Sequence, residues 1–216
     1  MERSNESRSR AEARQIIERC VGAQQWAANQ DVVTALQSQL AGHPLQEHPI
    51  LMHMAEGSID LELQKLAHLE FAHAFSQPFT DLLLSAMLDT TELRSPQGPT
   101  GQMAARFLIG LNLLEELGFT LDPEGADDIS TPRHSHYLEL LKTMEALGVS
   151  IEQGEAYQPS PATQSIRQMM TDARGDLLSE LMCLTVSESI FPIFAGLWAT
   201  SVEDSGGIDI DSGFHA

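Results

Sequence analysis

Apolar residues recur at helical spacing along most of this chain, and no segment of useful length alternates as a β-strand would. The segment 101–118, GQMAARFLIGLNLLEELG, is apolar nearly all the way round, which is typical of a central, buried helix. No internal repeat and no domain boundary interrupts the pattern. The sequence therefore predicts an all-α protein, a single helical domain over residues 1–216 built as one bundle of about seven helices.

Glycines, prolines and capping residues predict where these helices begin and end. Ser58 is the expected N-cap of a long helix that Pro78 kinks, because proline lacks a backbone donor and crowds the carbonyl four residues back. Thr131 and Ser160 each precede a proline and predict two further helix starts. The expected helices include 9–30, 31–41, 59–89, 101–117, 132–147 and 174–202, and the expected loops and flexible tails are 1–8, 91–101, 119–131 and 203–216.

The charge balance excludes several kinds of partner. The 216-residue chain has 31 acidic and 12 basic residues, a formal net charge of −19. Such a surface repels phosphate backbones and anionic lipids, so we expect neither nucleic acid nor membrane as a partner. Residues 1–15 lack the apolar core of a signal peptide, and the longest apolar stretch, IFPIFAGLWA, has ten residues, too few to span a bilayer. The two cysteines form no disulfide framework, so a cytoplasmic location is expected.

One carboxylate interrupts the apolar face of the last long helix. Around LTVSESIFPIFAGLW the helical spacing gives the seam Leu177, Leu181, Leu184, Glu188, Phe191, Ala195 and Trp198. A charge inside such a seam is costly unless something pairs with it. The partner of Glu188 is expected to be either one of the few cations of the chain, such as Arg106 or Arg167, or a metal ion.

Two other helices carry polar residues among apolar ones. Glu115 and Glu116 end the helix that stops at Gly118, and periodicity does not decide which of them reaches solvent. His134 and His136 open the next helix and point roughly 160° apart, so one ion is expected to use only one of them. The structural alternative is a solvated helix end for the glutamates and a hydrogen-bonded role at the edge of the core for the histidines.

A fourth helix offers Glu70 and His73 in a Glu-x-x-His spacing, which carboxylate-bridged diiron bundles use but which is also frequent by chance in an acidic helical chain. Carboxylates and imidazoles buried by several helices of one bundle suggest a shared cation. Without a set of thiolates, these donors suit iron or manganese better than structural zinc.

Two segments resemble the haem-oxygenase-like helical superfamily. The first segment is NLLEELG, which is followed by a histidine and a helix that ends in LG. The second is HPILMHMAEGSIDLELQKLAHLEFAHAF, and the similarity covers about residues 43–210. The superfamily includes thiaminase II, the pyrroloquinoline-quinone-synthase-like proteins and the haem-oxygenase-like diiron oxidases, or iron-containing redox enzymes. The closest similarity is to the last group, which implies an iron-dependent oxidoreductase that activates dioxygen on a small organic substrate.

The same resemblance implies a set of metal ligands. The motifs of the diiron members map onto Glu116, His136 and Glu188. In those enzymes a final helix with a His-x-x-x-Asp-x-x-His pattern completes the site. This sequence stops at GFHA, near the expected start of that helix, so the last helix is expected to be missing and His215 is its one candidate ligand. The expected cofactor is iron, as one or two ions, with manganese as the alternative.

Other functions stay open on the sequence alone. A thiaminase II-like hydrolase would use Cys183 as its nucleophile, although Cys183 and Glu188 point about 140° apart on a helix. A non-catalytic helical binding or assembly protein would keep the fold alone. A bundle without its last helix would form a homodimer or bind another molecule to cover exposed apolar surface. A haem oxygenase would need a proximal histidine, and residues 9–30 contain none.

Overall fold

Helices make up nearly all of the structure, a computed structural model that describes residues 8–119, 130–208 and 214–215. The helices are α1 (Arg8–Val21), α2 (Ala23–Ala41), α3 (Pro49–Ala55), α4 (Leu61–Phe71), α5 (Gln77–Asp89), α6 (Arg94–Glu116), α7 (His136–Ala146), α8 (Ile151–Ala156), α9 (Pro161–Ala173) and α10 (Leu177–Gly206). Eight of these have eleven residues or more, and the described residues include no β-strand. Because α4 and α5 continue into one another, the result is a bundle of about seven rods, and the all-α expectation is confirmed.

A π turn over Ala72–Ser76 joins α4 to α5, so the two helices form one continuous rod that includes Pro78. The amide of Gln77 donates to the carbonyl of Ala72, five residues back, so this turn is wider than an α-helical one. Pro78 has no amide proton for the helix ladder and would crowd the carbonyl of Ala74 in a regular helix. The expected distortion near Pro78 is therefore present, and it takes the form of a π turn.

The rod formed by α4 and α5 is the centre of the bundle. Leu82, Leu83 and Ala86 of α5 are almost fully buried. They pack in one cluster with residues from α6, α9 and α10, namely Ile109, Leu113, Met170, Ala173, Leu177 and Leu184. The free energy of burial that stabilises the fold is concentrated in this cluster, because these side chains leave water completely.

A second cluster closes another part of the bundle around Trp198 and Val202 of α10. Gln64 of α4 is fully buried there. Its side-chain nitrogen donates to Ser201 Oγ at 2.7 Å, and its side-chain oxygen accepts from the Trp198 indole at 3.1 Å. Because both ends of the amide are satisfied, Gln64 is buried without an unpaired polar group, and it fixes the register of α4 against α10.

α6 is less buried than its apolar composition predicts. Ile109 and Leu113 lie in the core, but Met103 is 58% exposed and Phe107 is 44% exposed. The expectation that the 101–118 helix is enclosed on all sides is therefore wrong. One face of α6 packs against α5, and α1 covers only part of the rest.

Several helix boundaries differ from the sequence-based expectations. Thr131 caps only a 3-10 turn over Pro132–His134, so α7 begins at His136 and not at residue 132. The first helix breaks at Gly22 and not near residue 30, because Gly22 has a φ of 84°, which side-chain-bearing residues rarely adopt. Asp60, not Ser58, caps α4, and its carboxylate accepts the amide of the third helical residue at 2.8 Å. Most of segment 91–101 is helical and not a loop, with a local break in α6 at Gly98.

Other boundaries agree with the sequence-based expectations. Gly118 and Gly148 follow the ends of α6 and α7 with positive φ, and Ser160 caps α9 in front of its first-turn proline. The end of α10 does not agree, because this helix continues to Gly206, four residues beyond its expected end. Phe214 packs against side chains of α10, so the expectation that all of segment 203–216 is a flexible tail is wrong. The expectations for residues 1–7, 120–129, 209–213 and 216 lie outside the described residues.

α10 combines length with an apolar composition. Over Leu177–Ser205 it is long and apolar enough to cross a membrane by these two criteria alone, with a mean hydropathy of 1.5. The longest uninterrupted apolar stretch in the sequence has only ten residues, because serines, threonines and Glu188 interrupt the apolar residues of this helix. A core helix of a soluble bundle meets the same criteria. Most apolar residues of α10 are partly buried, and Leu178 and Met182 near its start are exposed to solvent.

We expect the substitution Leu82→Ala to lower the free energy of unfolding by about 2–5 kcal/mol, because it leaves a cavity in the central cluster. Leu88→Ala is the matched control on the same helix, since Leu88 is 69% exposed, and it should change stability by about 0.5 kcal/mol or less. Guanidinium denaturation followed by circular dichroism measures both. Equal effects of the two substitutions would contradict the position of the core.

Candidate functional site

A cavity of about 150 Å³ lies where the α4–α5 rod, the end of α6, the start of α7 and the middle of α10 meet. Six of the eight phenylalanines of the chain line it, namely Phe71, Phe75, Phe79, Phe191, Phe194 and Phe214. Its polar lining consists of Ser76, Glu116, His136, Ser187 and Glu188. The cavity therefore combines an aromatic wall with carboxylate and imidazole groups.

The tight connection between α6 and α7 brings two of these polar residues together. A Cβ atom on Gly118 would collide with the backbone of Thr131 and would meet the amide nitrogen of Ser135 at 2.6 Å. Only glycine allows the two chain segments to approach so closely at this positive φ. Glu116 at the end of α6 consequently faces His136 at the start of α7, with 2.9 Å between His136 Nδ1 and Glu116 Oε1.

Glu188 reaches the same cavity from α10. Its Oε1 accepts a hydrogen bond from the side-chain amide of Asn112, one turn before Glu116 on α6, at 3.4 Å. Glu188 is exposed, and Leu181 of the same seam is 36% exposed. The expectation of a carboxylate enclosed in a dry apolar seam is therefore wrong, because this part of α10 borders the cavity opening.

Arg106 and Arg167, the cations considered as partners of Glu188, bind elsewhere. Arg106 Nε donates to Thr90 Oγ1 at 2.8 Å, and Arg167 donates to Gln77 Oε1 at 2.9 Å. The hypothesis that either arginine forms a buried ion pair with Glu188 is therefore wrong.

The charged groups of the cavity influence one another's protonation. The hydrogen bond with Glu116 raises the pKa of His136, against the lowering effect of desolvation. Protein atoms crowd the Glu188 carboxylate even though the residue is exposed, and this desolvation raises its pKa, with a further increase from the charge of Glu116. The two carboxylates therefore act on their neighbours: Glu116 favours the charged form of His136 and disfavours that of Glu188.

The sequence leaves open which glutamate of Glu115 and Glu116, and which histidine of His134 and His136, belongs to the site. Glu115 forms an ion pair with Arg10 at 2.6 Å, and His134 contacts Glu139 at 3.3 Å. Neither Glu115 nor His134 lines the cavity. Of the alternatives that the sequence leaves open, the fold therefore brings Glu116 and His136 to the cavity.

Glu70 and His73 connect helices and do not face this cavity. The Glu70 carboxylate accepts hydrogen bonds from the Tyr157 hydroxyl and from the amide and hydroxyl of Ser160, the N-cap of α9. His73 Nε2 donates to the carbonyl of Gly154 at 3.2 Å. Glu70 and His73 thus hold α8 and α9 against the rod formed by α4 and α5. These contacts favour a structural role for the Glu-x-x-His pair over a metal-binding one.

His215 does not line the cavity, although its neighbour Phe214 does. Its Nε2 lies 3.0 Å from Nε2 of His68, a fully buried residue of α4. His68 is not among the ligands expected from the sequence. A signal for His68 was present, because it lies one turn after Gln64 and one turn before Phe71 on the apolar face of α4.

The three cavity residues do not form a ready-made ligand set. Within residues 8–119, 130–208 and 214–215, no three Asp, Glu, His or Cys side chains lie close enough together to hold a metal ion. Their carboxylate and imidazole groups are nevertheless donors that suit iron and manganese.

Comparison with known proteins identifies no relative. No protein-family profile matches the chain, and no curated protein sequence or solved structure matches it. Its function is therefore inferred from the chemistry of the cavity.

We expect Glu116→Gln to lower the pKa of His136, because the substitution removes a charged acceptor from the imidazole. The folded-state pKa of His136 lies above its unfolded value. The contact with Glu116 therefore stabilises the fold fully below the unfolded pKa, and this stabilisation is lost as the pH rises through the folded pKa. An NMR titration of the imidazole measures the shift, with Glu115→Gln as the control that should change it little. A His136 pKa unaltered by Glu116→Gln would contradict the described contact.

Proposed function

We propose that this protein is an iron-dependent oxidoreductase that activates dioxygen on a small organic substrate, with manganese as the alternative metal. Glu116, His136 and Glu188 would hold the ion, one residue each from α6, α7 and α10. The observation that supports this proposal is that all three line one cavity. They are not preassembled, so binding of the ion would have to draw them together.

The charge of the cavity lining favours a bound cation. Two carboxylates and a neutral imidazole carry a net negative charge, and Glu116 already raises the pKa of Glu188. Binding would replace the contact between His136 and Glu116 with two metal bonds, and His136 would release any proton that its raised pKa retains. Metal affinity is therefore expected to fall as the pH falls.

The bound metal would supply the redox chemistry with dioxygen. The residues of the chain would select and position the substrate. The phenylalanines exclude water from much of the cavity wall and favour an apolar substrate, and a volume of about 150 Å³ suits a small molecule. Asn112 restricts the Glu188 carboxylate through its hydrogen bond.

The proposed ligands agree with those implied by the resemblance to the haem-oxygenase-like diiron oxidases, and we propose that group as the relatives of this protein. His215 is left out of this ligand set, because its described partner is His68 and not a residue of the cavity. One ion per chain is therefore the proposed stoichiometry of this site. The cytoplasmic location stays a prediction.

The thiaminase II-like alternative gains no support from the position of Cys183. This residue packs against the central apolar cluster and does not line the cavity. Burial raises the pKa of its thiol, which disfavours the thiolate that a nucleophile needs.

A non-catalytic binding or assembly protein is the second candidate, because two helices leave apolar surface exposed. No residue of α2 is buried, and Val32 on this helix is 64% exposed. Leu178 on α10 is 70% exposed. Such surface favours association between chains, and we propose a homodimer as the simplest assembly.

The iron-dependent function predicts that the protein retains about one iron or manganese ion per chain after dialysis, measured by inductively coupled plasma mass spectrometry. Glu116→Gln, His136→Gln and Glu188→Gln should each weaken metal binding by about tenfold or more, because each removes a donor. Glu115→Gln and His134→Gln are matched controls that should retain the metal. Retention by all three cavity variants, or no metal uptake by the wild-type chain, would contradict the proposed ligand set.

The assembly candidate predicts a dimeric mass in size-exclusion chromatography with light scattering. Leu178→Glu should shift the mass towards that of a monomer if α10 forms the contact, because it places a charge in an apolar interface. Ala162→Glu is the control, because it places the same charge at an exposed position of a different helix, α9. A wild-type chain that stays monomeric at high concentration would contradict the homodimer.

A further inference from the structure

His68 and His215 form a close pair of imidazoles away from the carboxylates of the cavity. Their Nε2 atoms are 3.0 Å apart, and the two rings meet edge to face at 80°. His68 is fully buried, whereas His215 keeps some exposure to solvent. Trp198 contacts both rings, with centroid distances of 4.4 and 4.9 Å.

A backbone hydrogen bond fixes the orientation of the His68 ring. Its Nδ1 lies 2.7 Å from the carbonyl of Gln64, and since a carbonyl only accepts, Nδ1 carries the proton. The lone pair of Nε2 therefore points at His215, whose Nε2 must be the donor in the pair. A ring N–H held by a backbone carbonyl, with the other nitrogen directed at a shared point, is the usual arrangement of a metal-binding histidine.

We propose that His68 and His215 form a two-imidazole binding site for a zinc ion, separate from the carboxylate-containing cavity and independent of the proposed oxidoreductase function. Imidazole nitrogen is a preferred donor for zinc. Water completes the coordination shell on the side where His215 is exposed.

The geometry requires little rearrangement. Zinc–nitrogen bonds of about 2.0–2.1 Å place two nitrogens of a tetrahedral shell about 3.3 Å apart, a few tenths of an ångström more than the 3.0 Å observed. Binding exchanges one N–H···N hydrogen bond for two metal–nitrogen bonds. The proton on His215 Nε2 moves to Nδ1 of the same ring, so no proton leaves the site.

The surroundings leave both rings neutral. Burial lowers the pKa of His68 to about 4 and that of His215 to about 3. Zinc therefore has no bound proton to displace at neutral pH, in contrast to a typical exposed histidine.

Isothermal titration of the full chain with zinc chloride tests the site. In the double variant Glu116→Gln with Glu188→Gln, which lacks the carboxylates of the proposed iron site, one zinc ion per chain should bind, and adding His215→Ala should weaken its affinity by about tenfold or more. His48→Asn is the control for adventitious binding, since His48 is an exposed N-cap whose role asparagine can take. The double variant Glu116→Gln with Glu188→Gln should keep this zinc, which separates the site from the proposed iron site.

A second measurement locates the ion without relying on a variant of the pair. In a Trp26→Phe background, copper(II) should quench the fluorescence of Trp198, because the proposed ion lies next to this indole. Zinc present beforehand should raise the copper(II) concentration that quenching requires, because the two ions compete for one site. His68→Gln complements His215→Ala if one of them fails to fold, as judged by circular dichroism. Unchanged zinc affinity in the folded pair variant, loss of zinc in the glutamate variant, or absent binding would each overturn the proposal.

Discussion

The π turn between α4 and α5 is the constraint on which the cavity depends. Phe71 and Phe79 both line the cavity, although residues eight positions apart diverge by about 80° in a regular α-helix. The wider turn at Ala72–Ser76 reduces this divergence, and Pro78 is the reason that a regular turn is disfavoured there. Because the same rod continues into the fully buried Leu82, the aromatic wall is held by the core of the bundle.

Charge distribution gives the two candidate sites different chemistry. Glu116 and Glu188 lie in an acidic chain whose nearby arginines have other partners, so their cavity favours a hard cation that tolerates carboxylate donors. His68 and His215 lie among aromatic rings and an amide, where neutral imidazoles favour zinc. Phe214 connects the two regions, since it lines the cavity and precedes His215.

Local rules predicted much of the fold, and long-range packing decided the rest. The helix ends at Gly118 and Gly148 and the cap at Ser160 follow from backbone chemistry that a few residues determine. The break at Gly22 was missed because glycine within a helical pattern is ambiguous until its φ is known. Periodicity placed Glu188 on an apolar face but did not reveal that neighbouring helices leave this face open. No local pattern pairs His68 with His215, since 147 positions separate them.

We propose that one residue from each of α6, α7 and α10 converges on a single cation. Anomalous diffraction from crystals grown with manganese tests it most directly, because the signal locates the ion without assuming its ligands. We expect a peak within bonding distance of Glu116, His136 and Glu188, in the cavity lined by phenylalanines. A cavity with no peak, or with the Glu188 carboxylate turned away from the other two side chains, would contradict it.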